Sequence, residues 1–116
     1  AHRQWLQEKL TYSNEASLRH RLRELLGEAE TIMSPIFPDN RKRRTFIQKV
    51  VSIRNDLTHR LKTAAARPED LFCLSEILFF LVSACLLIRA GLPKARLVKF
   101  FRNNYRYARC ADYSIG

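Results

Sequence analysis

The sequence predicts an all-α fold, a helical bundle of four to five helices that dimerises. Three observations predict it. Apolar residues recur at three- and four-residue intervals along most of the 116 residues, the spacing of one helix face. Gly and Pro number only three and four while 47% of the chain is apolar, which argues for ordered helices over a disordered segment. One segment, Ile77–Ile88, is apolar almost all round and asks for burial on two sides, by its own bundle and by a second copy.

Each element has its own signal. A short first helix is expected from His2 to Leu10, with Trp5, Leu6 and Leu10 available to pack. A second starts after Ser13 or Asn14 as cap and runs to about Met33, carrying Leu18, Leu22, Leu25, Leu26, Ala29, Ile32 and Met33 at helical spacing. Ser34-Pro35 ends it, and Pro35 to Asp39 reads as a loop in which Asp39 or Asn40 can cap the next helix.

That third helix is expected from Arg41 to Ala66. With about 100° per residue and Phe46 as reference, Phe46, Val50, Ile53, Leu57, Leu61 and Ala64 share an arc of roughly 80° that should meet the core. Arg54 falls on the flank near 80°, Asn55 near 180° and His59 near 220°, so His59 points away from its own core (about 100° per residue).

After Arg67, Pro68 suits the first turn of a fourth helix, and Glu69 and Asp70 favour its positive end. This helix ends before Gly91 and Pro93. Its uninterrupted apolar core falls short of the roughly 20 residues that cross a bilayer, and Glu76 and Arg89 bracket it, so no membrane is expected. A last helix should run from about Lys94 to Arg109, with Leu97, Val98, Phe101, Tyr105 and Ala108 inward. Its other positions are basic, and Tyr107 or Tyr113 could stack an unpaired base.

The chemistry concentrates in Ser52-Ile53-Arg54-Asn55-Asp56-Leu57-Thr58-His59-Arg60. A permanent cation, an amide and a titratable imidazole follow one another within two turns. Imidazole has an unperturbed pKa of about 6.5, so acid and base forms coexist near neutrality. The planar guanidinium of Arg54 can donate two bonds to phosphate oxygens and stabilise charge built in a transition state. Asn55 stands one turn before His59 on nearly the same face and can orient the imidazole or bind a phosphate oxygen. Asp56 sets a carboxylate inside the motif, and Arg60 adds a further cation after it.

Arg and His separated by four residues, with Asn directly after the Arg, resembles the motif of HEPN-domain ribonucleases, particularly the ApeA-like branch. The resemblance implies a dimeric helical bundle that cuts RNA without a metal or other cofactor at a composite site built from both motifs. It implies 2′,3′-cyclic phosphate and 5′-hydroxyl products, with Arg54, Asn55 and His59 as catalytic residues. It also implies roles such as toxin activity or antiviral defence, an inhibitory or antitoxin protein as a further partner, and a place near the C-terminus of a larger polypeptide.

At 13.6 kDa the chain accommodates one domain, taken as residues 1–116 and expected to be cut from something longer, with no secretory peptide expected at its start. Cys73, Cys85 and Cys110 form no close pair, and Cys73 and Cys85 read as small core residues, so a reducing, cytoplasmic setting without structural zinc is expected.

The formal charge of +10 is uneven. Arg41 to Arg67 holds nine Lys or Arg against one acid, Asp56, and Arg89 to Arg109 holds seven against none. The pattern predicts a polyanionic partner, which the resemblance makes RNA, with Arg41, Lys42, Arg43, Arg44, Arg60, Lys99, Arg102 and Arg106 along its backbone; acidic membrane lipids are the weaker alternative. Cations in the first turns of a helix oppose its dipole, so the Arg41–Arg44 run needs a compensating benefit such as phosphate contact; an intracellular sorting signal is the competing reading. Competing functions are an inactive HEPN module for RNA binding or protein assembly, and a duplex-DNA binder using the break at Gly91 and Pro93 as part of a helix-turn-helix. The latter lacks a convincing short recognition helix.

Overall fold

A computed structural model of the chain describes residues 2–59 and 68–113, with the side chains of residues 2, 7, 10–15, 58 and 59 outside that description. Among these residues six helices follow in order: α1 His2–Glu28, α2 Glu30–Met33, α3 Asn40–His59, α4 Pro68–Arg89, α5 Lys94–Arg102 and α6 Tyr105–Asp112. Among the described residues there is no strand. The all-α class is as the spacing predicts.

The boundaries follow from local chemistry. Asp39 caps α3, its carboxylate accepting the Lys42 backbone N–H at 2.8 Å, which satisfies one of the donors that open every helix. Pro68 opens α4, and Gly91 closes it at φ 94°, a left-handed conformation that only glycine adopts without strain. The Gly91 N–H donates to the Ile88 carbonyl at 3.0 Å and the Leu92 N–H to the Leu87 carbonyl at 3.2 Å, the paired bonds of a Schellman end.

Three expectations need correction. The first helix does not stop near Leu10, because α1 runs unbroken through Ser13 and Asn14 to Glu28. A cap residue in mid-helix costs only a few tenths of a kcal/mol to about 0.7 relative to alanine, too little to end a helix unaided. Trp5 and Leu6 do not pack, being 53% and 51% exposed. The last helix is not continuous either. It divides at Asn103-Asn104, where the Asn104 side chain accepts the backbone N–H groups of Arg106 and Tyr107 and starts α6 afresh.

This break resets the helical phase. Tyr105 is 74% exposed and Ala108 is exposed, while Tyr107 and Cys110 turn inward beside Leu97 and Phe101. Tyr107 is therefore no base-stacking surface: its ring packs against Phe80 and Phe101, and its hydroxyl donates to the Ile32 carbonyl. Burial pushes its pKa up to about 12. Tyr113 is half-buried, with its hydroxyl on the Asp70 carboxylate.

The core gathers one face of each element. The end of α1 supplies Leu22 and Leu26, α2 Ile32 and Met33, α3 Phe46, Ile47 and Val51, and α4 Leu74, Ile77, Phe80, Leu81, Ala84 and Cys85. The loop after α2 contributes Ile36 and Phe37, whose ring meets Phe46 at 5.0 Å. Two bidentate ion pairs fasten the rim, Arg89 on Glu28 and Arg106 on Glu76. In each, the guanidinium holds the partner carboxyl below its ordinary pKa of 4.5. The three cysteines are free; Cys85 and Cys110 are buried and Cys73 is half-buried.

The 22-residue α4 is long and apolar enough to cross a membrane by length and composition. Here it lies against α1, α5 and α6. Its Leu71, Phe72, Phe79, Val82 and Leu86 remain exposed, so the bundle covers only one side of it.

Candidate functional site

Motif helix α3 is buried on one face through its middle, from Phe46 to Val51, and emerges toward its end. Phe46, Ile47 and Val51 are buried and Val50 and Ile53 half-buried, but Leu57 is 70% exposed, which corrects its predicted place in the core. The buried arc includes Ile47 and Val51, so it turns by several tens of degrees from the predicted one and brings Arg54 onto the core-facing side (about 100° per residue). The core itself ends below that point. Predicted positions Arg60, Leu61 and Ala64 lie outside the described residues, as does the side chain of His59.

Between α3 and the start of α4 lies a groove of about 360 Å³, lined by Val50, Ile53, Arg54 and Leu57 on one wall and Leu71, Leu74, Ser75 and Leu78 on the other. Apart from Arg54 and Ser75 the lining is apolar. Arg54 is exposed on this wall, and a charge beside low-dielectric surface acts on an anion more strongly than one surrounded by water. Asn55 follows it, half-buried, and the backbone of His59 closes the helix.

The remaining predicted residues fall into separate groups. Arg41, Lys42, Arg43 and Arg44 occupy the opposite end of α3, about 16 Å from Arg54 when Arg43 is taken as origin and each residue rises 1.5 Å. Arg43 pairs with Glu30 at 3.0 Å, whereas Arg41 and Arg44 are exposed. Lys99 and Arg102 are exposed in the last turn of α5. Arg106 is already held by Glu76, and its guanidinium also lies 5.5 Å from the Phe79 ring centre, so it is less disposed to follow a phosphate backbone than predicted.

One basic residue escaped the sequence reading. Arg23 of α1 meets Asn40, Arg43 and Arg44 around a second cavity of about 400 Å³. In sequence it stands next to Glu24, within a helix of mixed charge, and only the packing of α1 on α3 brings it beside the Arg41–Arg44 run. Among the described residues, no group of three or more His, Cys, Asp or Glu side chains is arranged to hold a metal ion.

The sequence model of the family described as Apea-like HEPN matches residues 1–96, a span that includes α1 to α4 and the whole Arg54–His59 motif. No curated protein and no solved structure gave a match.

Proposed function

The chain belongs to the Apea-like HEPN family, and from that premise we propose that it is a metal-independent endoribonuclease whose active site is assembled from the motifs of two copies. HEPN domains are often ribonucleases. One observation carries the finer reading: Arg54 stands exposed on the wall of an apolar groove, within a motif that also brings Asn55 and His59.

The helix itself argues for two copies. Positions 54 and 59 are about 140° apart around α3, so a single copy does not turn both toward one phosphate (about 100° per residue). A partner copy lets the guanidinium of one motif serve the imidazole of the other. The unoccupied apolar face of α4, Phe72, Phe79, Val82 and Leu86, runs into the groove through Leu71 and Ser75 and gives that partner a surface to cover.

In the proposed reaction one His59 imidazole takes the proton of the ribose 2′-hydroxyl, whose oxygen attacks the neighbouring phosphorus. The bond from phosphorus to the 5′-oxygen breaks, and the second His59, as imidazolium, protonates the departing oxygen. Arg54 holds the phosphate and offsets the charge that accumulates on its equatorial oxygens. Asn55 orients the imidazole. A 2′,3′-cyclic phosphate and a 5′-hydroxyl result. Within the family's range of roles, the domain acts inside the cell as part of a larger polypeptide, restrained by an inhibitory or antitoxin protein.

The test is cleavage of labelled single-stranded RNA in EDTA by the parent protein, His59→Ala and Arg54→Ala. The parent is expected to cut and both variants to lose at least a hundredfold in rate. Undiminished cutting by His59→Ala removes the assignment, and binding without cleavage by the parent leaves an RNA-binding or assembly module.

A further inference from the structure

Two side-chain bridges set the register of α6 on α4. Arg106 donates to the Glu76 carboxylate at 2.8 Å, and the Tyr113 hydroxyl donates to the Asp70 carboxylate. Passing from the first bridge to the second, the number falls on α4 and rises on α6, so the two helices run antiparallel. Cys73 stands midway between Asp70 and Glu76, and Cys110 lies between Arg106 and Tyr113. Each cysteine is therefore one turn from a bridge on either side, on the face that meets the other helix.

Facing positions on packed helices are within reach of a disulfide. Packed axes lie about 8–10 Å apart and Cα atoms about 2.3 Å from each axis, which leaves roughly 3.5–5.5 Å between squarely facing Cα atoms; a disulfide spans roughly 4.4–6.8 Å. Both cysteines also line one cavity of about 570 Å³, together with Glu76, Arg106 and Tyr113, so a small solute reaches the pair. Burial, and then the charges of Glu76 and Cys73, push the Cys110 thiol up to about 11 against the opposing pull of Arg106 and Arg109. Cys110 thus keeps its proton at neutral pH, and half-buried Cys73 is the sulfur that an oxidant meets first. Cys85 is set apart: it is buried, and its thiol donates to the Leu25 carbonyl of α1 at 3.4 Å.

We propose that Cys73 and Cys110 are an oxidisable dithiol that closes to a disulfide between α4 and α6 when the protein meets a peroxide. The Cys73 thiolate attacks one peroxide oxygen and the O–O bond breaks. Cys73 becomes a sulfenic acid, and the other oxygen leaves as hydroxide, which takes up the proton that Cys73 released. The Cys110 sulfur then attacks the Cys73 sulfur. The S–S bond forms as the S–O bond breaks, and the Cys110 proton departs with that oxygen as water. Two thiols lose two electrons and the peroxide gains them. The link joins α6 to the start of α4, whose Leu71, Leu74, Ser75 and Leu78 form the groove wall opposite Arg54.

The experiment treats the native chain with a small excess of hydrogen peroxide, then unfolds it in N-ethylmaleimide to label the thiols that remain. Peptides are mapped by mass spectrometry without reduction. The untreated protein takes a label on all three cysteines. The treated protein is expected to carry a label on Cys85 alone, with one cross-linked peptide pair that holds Cys73 and Cys110 and that dithiothreitol separates. In Cys110→Ser the sulfenic acid has no thiol to meet, so dimedone is expected to trap it on Cys73 and not on Cys85. The pair is read in the unsubstituted protein, so it does not depend on that variant folding. Peroxide that leaves Cys110 labelled overturns the proposal, whether Cys73 has become a sulfinic acid or has joined a second chain. A cross-link that forms only when the peroxide is added in urea overturns it as well.

Discussion

At the scale of single residues, Arg54 separates charge from geometry. Lysine at this position keeps the cation and the length but loses the planar fork that holds two phosphate oxygens at once. In the proposed mechanism the fork matters most when charge builds on the phosphate. Arg54→Lys is therefore expected to lower kcat by about 10² while changing KM less than threefold. Steady-state kinetics on a short RNA checks this, and a rise in KM at constant kcat assigns Arg54 to uniform binding. The Arg54–Asn55–His59 motif was legible because spacing is a property of the sequence itself. Arg23 was not, since its partners lie 17 or more residues away and only the packing of α1 on α3 joins them. Tyr107 shows the same limit from the other side: an aromatic among cations reads as a stacking surface, and only the break at Asn104 turns it into the core.

At the scale of elements, start and stop signals succeeded where they were chemically strong. Pro68 and Gly91 bound α4 because one fits the first helical turn and the other takes a positive φ. Ser13 and Asn14 offered only a cap, and α1 passed through them. Asn103-Asn104 carried a cap of the same kind and did end a helix, because Tyr107 and Cys110 gain burial once the phase is reset. A cap thus marks a boundary where burial favours it. The same logic predicts what Asp39 does. Its carboxylate holds the Lys42 N–H at the head of a helix whose first five residues carry four cations and no acid. Asp39→Ala should cost about 1 kcal/mol of unfolding free energy, and Asp39→Asn much less. Urea denaturation followed by circular dichroism measures both; equal losses would trace the effect to charge against the basic run instead of to the cap.

At the scale of the whole molecule, apolar surface and basic surface lie in different places, and each asks for its own partner. The basic residues concentrate at the start of α3 and along α5 and α6, the surface that the proposed RNA would meet. The apolar residues left outside form a stripe on α4, with Phe72, Phe79, Val82 and Leu86 at 62%, 55%, 44% and 60% exposure. These positions recur at seven, three and four residues, the spacing that lets a helix lie along a copy of itself. The stripe spans roughly 20 Å, counting 1.5 Å per residue, and it runs into the groove that Arg54 lines. Pairing through this face would remove the apolar surface from water and complete the composite site in a single event. Val82 lies inside the stripe and outside the core, so Val82→Glu should leave the bundle folded while setting two carboxylates against each other in the dimer. Sedimentation is expected to give twice the 13.6 kDa chain mass for the parent and a single chain for the variant, with unchanged far-ultraviolet circular dichroism and RNA cleavage reduced at least a hundredfold. A monomeric variant that cuts RNA as fast as the parent would show that one copy holds the complete site.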